Sequence, residues 1–69
     1  MGKIVYYKLF DYMNRRGIKD SELVHKKVLT APTLIKLKKN ECIKTETLEK
    51  ICDYLECQPG DIMEFENGN

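Results

Sequence analysis

The chain has no tryptophan, two prolines, two phenylalanines, a single histidine and three cysteines among its 69 residues. With only His25, no closely spaced histidine and carboxylate set, and no glycine-rich loop to cradle a phosphate, it is not expected to be an enzyme. Cys42, Cys52 and Cys57 are odd in number, and their spacings of 10 and 5 residues match no paired zinc pattern. The expectation is therefore reduced, buried or inert thiols, with no metal and no cofactor. No apolar run approaches the roughly 18 residues of a membrane span, and no apolar signal segment opens the sequence. A cytoplasmic protein without a membrane partner or an evident small-molecule ligand is expected.

What is present is the balance of a folding module: 42% hydrophobic and 33% charged residues. A second core would need roughly 50 residues of its own, so residues 1–69 are expected to form one domain. A core this small leaves room for help from a second copy, and a homodimer is expected. The net charge of +1 hides a division along the chain. Between Asn14 and Lys44 nine Lys and Arg face three Asp and Glu, a surplus of six positive charges; the remainder has three against eight, a surplus of five negative. A field divided this way offers one face to a polyanion, nucleic acid being the obvious one, and keeps the molecule soluble through the other.

Hydrophobic periodicity predicts four helices. Tyr6, Leu9, Phe10 and Met13 recur at i, i+3, i+4 and i+7, which reads as a helix from Tyr6 to Arg16 stopped by Gly17. Ile18 enters a short second helix over Asp20–Lys27, with Asp20 as cap or first-turn anion and Leu23 and Val24 inward. Thr30 caps a third helix starting near Ala31, with Pro32 in its first turn, Leu34 and Leu37 inward, and Asn40 ending it in the left-handed conformation. Ile35 points away from that inner face; a packed neighbour, a thymine methyl or a protein partner would each account for it. Thr45 is read as the cap of a fourth helix carrying Leu48, Ile51, Cys52 and Leu55. Pro59-Gly60-Asp61 reads as a tight turn returning Ile62, Met63 and Phe65 to close the core. The Lys3–Val5 segment is a candidate short strand that could pair with the C-terminal end. Asn67–Asn69 are expected to be disordered. Tyr7, Tyr12 and Tyr54 are read as covering the core edge or rimming a dimer surface, and His25 as a solvated helix residue.

Two short helices joined by about four residues, the second capped by threonine and carrying outward Lys and Thr, meet the needs of a helix-turn-helix over about residues 19–39. The ordered set Gly17-Ile18-Lys19-Asp20-Ser21-Glu22-Leu23-Val24, Val28-Leu29-Thr30, Thr33-Leu34-Ile35-Lys36-Leu37 and Glu46-Thr47-Leu48-Glu49-Lys50-Ile51-Cys52 resembles the Cro-type (XRE-type) lambda-repressor-like DNA-binding domain. The tail from Leu55 to Glu64 is similar to that of a short, stand-alone bacterial and phage branch. The resemblance implies an all-α, compact bundle of four to five helices whose third helix enters the major groove of double-stranded DNA. It places Ala31, Pro32 and Thr33 nearest the bases beside the capping Thr30, with Lys36 one turn later. Asp20 falls where the family often has a glutamine touching phosphate, and Lys38, Lys39 and Lys44 fall where backbone contacts are expected. Val28 stands where the family prefers glycine in the turn, so it must avoid or tolerate a positive φ that is costly for a β-branched residue, and Val24 where the family prefers alanine. A sequence-specific transcriptional regulator, a repressor, is the reading; the alternative is a protein-interaction module on the same fold that has lost DNA affinity.

Overall fold

Residues 2–68 are described by the computed structural model of the chain. They run in the order β1 (Lys3–Val5), α1 (Tyr7–Arg15), α2 (Asp20–His25), α3 (Ala31–Lys38), α4 (Thr45–Leu55), α5 (Pro59–Ile62) and β2 (Glu64–Glu66). Five helices thus surround one core, and the short N- and C-terminal pairing is present as an antiparallel ribbon with Lys3 opposite Glu66, Ile4 opposite Phe65 and Val5 opposite Glu64. Opposite charges at the Lys3–Glu66 pair favour this register. The core gathers Leu9 and Met13 of α1, Leu23 of α2, Leu37 of α3, Ile51 and Leu55 of α4 and Ile62 of α5, with Tyr6, Val28 and Leu29 from the connections. The predicted stripes of the first and fourth helices are therefore the faces that are buried or half-buried.

The first four helices end by the same device. In each, a residue with positive φ follows the last turn, and the next residue donates its amide back to the carbonyl five residues earlier. The left-handed residues are Gly17 (φ 70), Lys27 (φ 60), Asn40 (φ 56) and Glu56 (φ 54). The returning bonds are Ile18 N to Met13 O at 2.9 Å, Val28 N to Leu23 O at 2.9 Å, Glu41 N to Lys36 O at 2.8 Å and Cys57 N to Cys52 O at 3.0 Å. This is the Schellman arrangement, which satisfies orphan carbonyls and is accompanied by a contact between the two residues it joins. Both members are apolar in the Met13–Ile18 and Leu23–Val28 pairs and weakly polar thiols in the Cys52–Cys57 pair. Asn40 has a second use: its Oδ1 accepts from the Tyr6 amide at 3.0 Å and fastens the end of α3 to the start of α1.

The structure corrects several expectations. The first helix begins at Tyr7, because Tyr6 is a buried N-cap with φ −120. The second ends at His25, since the chain turns left-handed at Lys27. The positive φ falls on Lys27 and not on Val28, because Val28 is needed as the buried residue that folds back on Leu23. Thr45 is the first residue of α4 and not its cap; Lys44 takes the cap position in extended backbone without a side-chain bond. Pro59-Gly60-Asp61 forms the short helix α5, whose start is closed by the Gln58 amide donating to Asp61 Oδ2 at 2.9 Å. Phe65 is 65% exposed and does not close the core, though Ile62 is fully buried and Met63 half-buried. Ile35 is 53% exposed, and Cys42 is exposed, so of the expected buried or inert thiols it is not one of the buried ones. The expectation for Asn67–Asn69 falls partly outside the described residues, at Asn69. His25 is exposed as anticipated.

Candidate nucleic-acid interface

α3 is positioned by its C-terminal half and exposed by its N-terminal half. Leu37 is fully buried and Leu34 half-buried, whereas Thr30, Ala31, Pro32, Ile35 and Lys36 are exposed and Thr33 is half-buried. The helix starts where it does because Thr30, in extended backbone (φ −94, ψ 161), accepts from the Thr33 amide at 3.4 Å, while Pro32 in the first turn has no amide to leave unsatisfied. The Thr30 and Thr33 hydroxyls are also hydrogen-bonded to each other at 2.9 Å. One of the two must donate and the other accept, so one hydroxyl hydrogen stays free for an outside acceptor whichever way the pair is oriented. The threonine pair thus offers one donor at the tip of the helix.

Thr33 sits between two shallow depressions. One is lined by Lys36, Cys42, Ile43, Lys44, Glu46 and Thr47, the other by Val24, Lys27, Val28, Leu29, Thr30, Thr47 and Lys50. The structure therefore gathers Thr30, Thr33, Lys36 and Lys44 of the predicted set, with Ala31 and Pro32 exposed on the same short helix. It also adds Lys27, Thr47 and Lys50, which the sequence reading passed over. Lys50 carried a visible signal, since it lies one turn after Thr47 on α4, but only the packing of α4 beside the start of α3 makes that face part of the site. Lys39 is exposed at the end of α3.

Asp20 and Lys38 are brought together in an unexpected way. Lys38 Nζ lies 2.6 Å from Asp20 Oδ2, with side-chain exposures of 53% and 35%. The Lys38 ammonium holds the Asp20 carboxyl below its ordinary range, against the opposing effect of partial burial, with smaller help from the amides of Ser21 and Asp20 itself. Among the described residues, Lys36, Lys39, Lys44, Lys27 and Lys50 make no ion pair, so Lys38 is the cation of this face that is already engaged.

Behind the two helices, tyrosines tie the bundle together. Tyr54 of α4 hydrogen-bonds through its hydroxyl to Glu22 Oε2 of α2, which pushes the Tyr54 phenol above its ordinary value. Tyr12 of α1 donates to the Leu55 carbonyl at 3.2 Å, and its ring lies 4.5 Å beneath the Arg16 guanidinium. Both tyrosines tie helices together, while Tyr7 is exposed. Cys57 is pushed up to about 11 by burial and by neighbouring Cys52, which leaves it a neutral thiol packed in a helix end. The described residues hold no group of three metal-ligating side chains.

Comparison with known proteins agrees with this geometry. The solved crystal structure of the transcriptional regulator VanUg superposes with a TM-score of 0.90 at 34% identity, covering 97% of this chain and 89% of that one. A curated relative, the uncharacterized HTH-type transcriptional regulator YozG of Bacillus subtilis (strain 168), is 43% identical over 53 residues. That match takes in 74% of this chain and 63% of the relative, so it spans less than two thirds of the relative's length. The family model of the Cro/C1-type HTH DNA-binding domain matches residues 8–68. The chain belongs to the Cro/C1-type helix-turn-helix DNA-binding domain family.

Proposed function

We propose that this chain is a transcriptional regulator that binds double-stranded DNA in a sequence-specific manner, acting in the cytoplasm as a homodimeric repressor on a two-fold symmetric site. The observation that carries the reading is the exposed start of α3, where a hydroxyl pair at the cap and first turn stands with Lys36 and the exposed Ile35 of one eight-residue helix. Eight residues span about 12 Å, the width of the major groove. Thr30, Thr33 and Lys36 supply donors to base acceptors, and Ala31, Pro32 and Ile35 supply apolar contact of the kind that suits a thymine methyl. Lys39 and Lys44 flank this helix and grip the backbone, with Lys27 and Lys50 extending the grip on the other side of Thr33. The polar contacts to bases are few, so part of the specificity rests on DNA shape. One short helix binds weakly alone, and a second copy multiplies the affinity, which is the basis of the homodimer.

The test is selection of bound duplexes from a random-sequence library by the purified protein at two salt concentrations, followed by sequencing. Enrichment of an inverted repeat with half-sites about 10 bp apart is expected. Recovery of no preferred sequence at either salt concentration refutes the reading.

A further inference from the structure

We propose that Asp20 is an internal substitute for a DNA phosphate: it holds Lys38 in the free protein and keeps the affinity for duplex DNA of any sequence below what the basic segment would otherwise give. The inference rests on the DNA-binding reading and assigns the cation that this reading leaves idle. The 2.6 Å contact joins residues 18 positions apart on α2 and α3, the two helices of the motif, so it exists only in the folded domain. Both partners remain partly exposed, so a phosphate can approach the Lys38 ammonium while Asp20 draws on its charge. A carboxylate and a phosphate make the same demand on an ammonium group, an anionic oxygen at hydrogen-bond distance, so they compete for Lys38 directly. Lys36, Lys39 and Lys44 have no such competitor among the described residues.

Counterion release gives the expected size. One phosphate contact steepens the dependence of log affinity on log salt by about 0.9, which corresponds to roughly eightfold in affinity at about 0.1 M salt and to no difference near about 1 M. Binding of a labelled random-sequence duplex is measured over a salt series for the wild type, Asp20→Asn, Lys38→Ala and the double variant. Asp20→Asn is expected to bind roughly eightfold tighter at about 0.1 M with the steeper slope, and Lys38→Ala, which leaves the Asp20 carboxylate unpaired, is expected to change the slope little in the wild type. In the Asp20→Asn background the same Lys38→Ala change should remove about 0.9 from the slope. This coupling separates release of Lys38 from the mere loss of one negative charge. Equal effects of Lys38→Ala on the slope in both backgrounds, or no gain from Asp20→Asn, overturn the proposal. Asp20→Gln is carried alongside, with thermal melts, so that a folding defect in one variant does not mask the result. Lys39→Ala should lower the slope in either background. If neither the wild type nor any variant retains a duplex at low salt, the DNA-binding reading fails and the proposal falls with it.

Discussion

Lys27→Gly should stabilise the domain, and the size of the effect follows from the turn between α2 and α3. Lys27 sits at φ 60, where a side chain crowds the following carbonyl at a cost of about 1–2 kcal/mol. Glycine removes that cost but brings about 0.5–1 kcal/mol of extra chain entropy to the unfolded state. The net gain is about 0.7 kcal/mol, a rise in Tm of about 3–6 °C for a domain of this size. Its neighbour behaves oppositely. Val28 is 8% exposed and packs beneath the turn, so Val28→Gly forfeits about 1.5–3 kcal/mol of burial and adds the same entropy term.

Thermal melts followed by circular dichroism compare Lys27→Gly, Lys27→Ala and Val28→Gly with the wild type. Lys27→Ala removes the charge and keeps the strain, so it should not raise Tm. A Lys27→Gly variant no more stable than Lys27→Ala, or a Val28→Gly variant more stable than the wild type, would refute the placement of the left-handed residue. The same variants carry a functional readout, because Lys27 borders the depression beside Thr33. Glycine and alanine at this position should weaken binding of any duplex equally while moving stability in different directions.

Other consequences can be checked individually. Thr30→Ala removes the cap of α3 and should cost about 1 kcal/mol, a fall in Tm of about 4–8 °C, with Thr30→Ser restoring most of it. Lys36→Ala should flatten the preference among selected sequences, whereas Lys39→Ala should weaken all duplexes alike and lower the salt slope by about 0.9; equal losses on selected and random duplexes for both would sink the division of roles. The Tyr54 phenol is raised above 10.0 by its bond to Glu22, so the stability it brings is present below that pH and lost as pH climbs through the raised value. Tyr54→Phe should therefore melt lower than the wild type at neutral pH and draw level in strongly alkaline buffer. Tyr6, also raised by burial, titrates in both proteins and cancels in the difference.

What was legible in the sequence was what local chemistry decides. Gly17 and Asn40 advertise left-handed helix ends, and the Thr30 hydroxyl needs only the amide three residues on; all three stand as read. Lys27 and Glu56 take the same left-handed conformation without any residue preference that favours it. Their turns are imposed by the residues after them, Val28 and Cys57, which fold back on Leu23 and Cys52. A pattern reader scanning for glycine looks at the wrong member of that pair. Phe65 misled for a related reason: with Ile62 and Met63 it reads as closing the core, yet it sits opposite Ile4 on a two-stranded ribbon and leans on Gly2, 65% exposed. In the candidate site, the α3 residues were readable because they are contiguous. Lys27, Thr47, Lys50 and the Asp20–Lys38 pair were not, because only the packing of three helices makes them neighbours.

The same distinction between near and far explains why a net charge of +1 is compatible with binding a polyanion. Charges act through water and salt over about 8–10 Å at physiological ionic strength, whereas this molecule measures 36 × 23 × 17 Å. Thr47 and Lys50 line the α3 side of α4, while Glu49, Asp53 and Glu56 line a different depression. The helix between them, with its side chains, is about 10 Å thick. Those acids are therefore largely screened from a duplex seated on α3. Asp20 and Glu46 are the exceptions: Asp20 lies 2.6 Å from Lys38, and Glu46 lines the depression beside Thr33 with Lys36 and Lys44. A carboxylate inside the interface, such as Asp20 against Lys38, thus weighs more on DNA affinity than several behind it, and its removal should be felt.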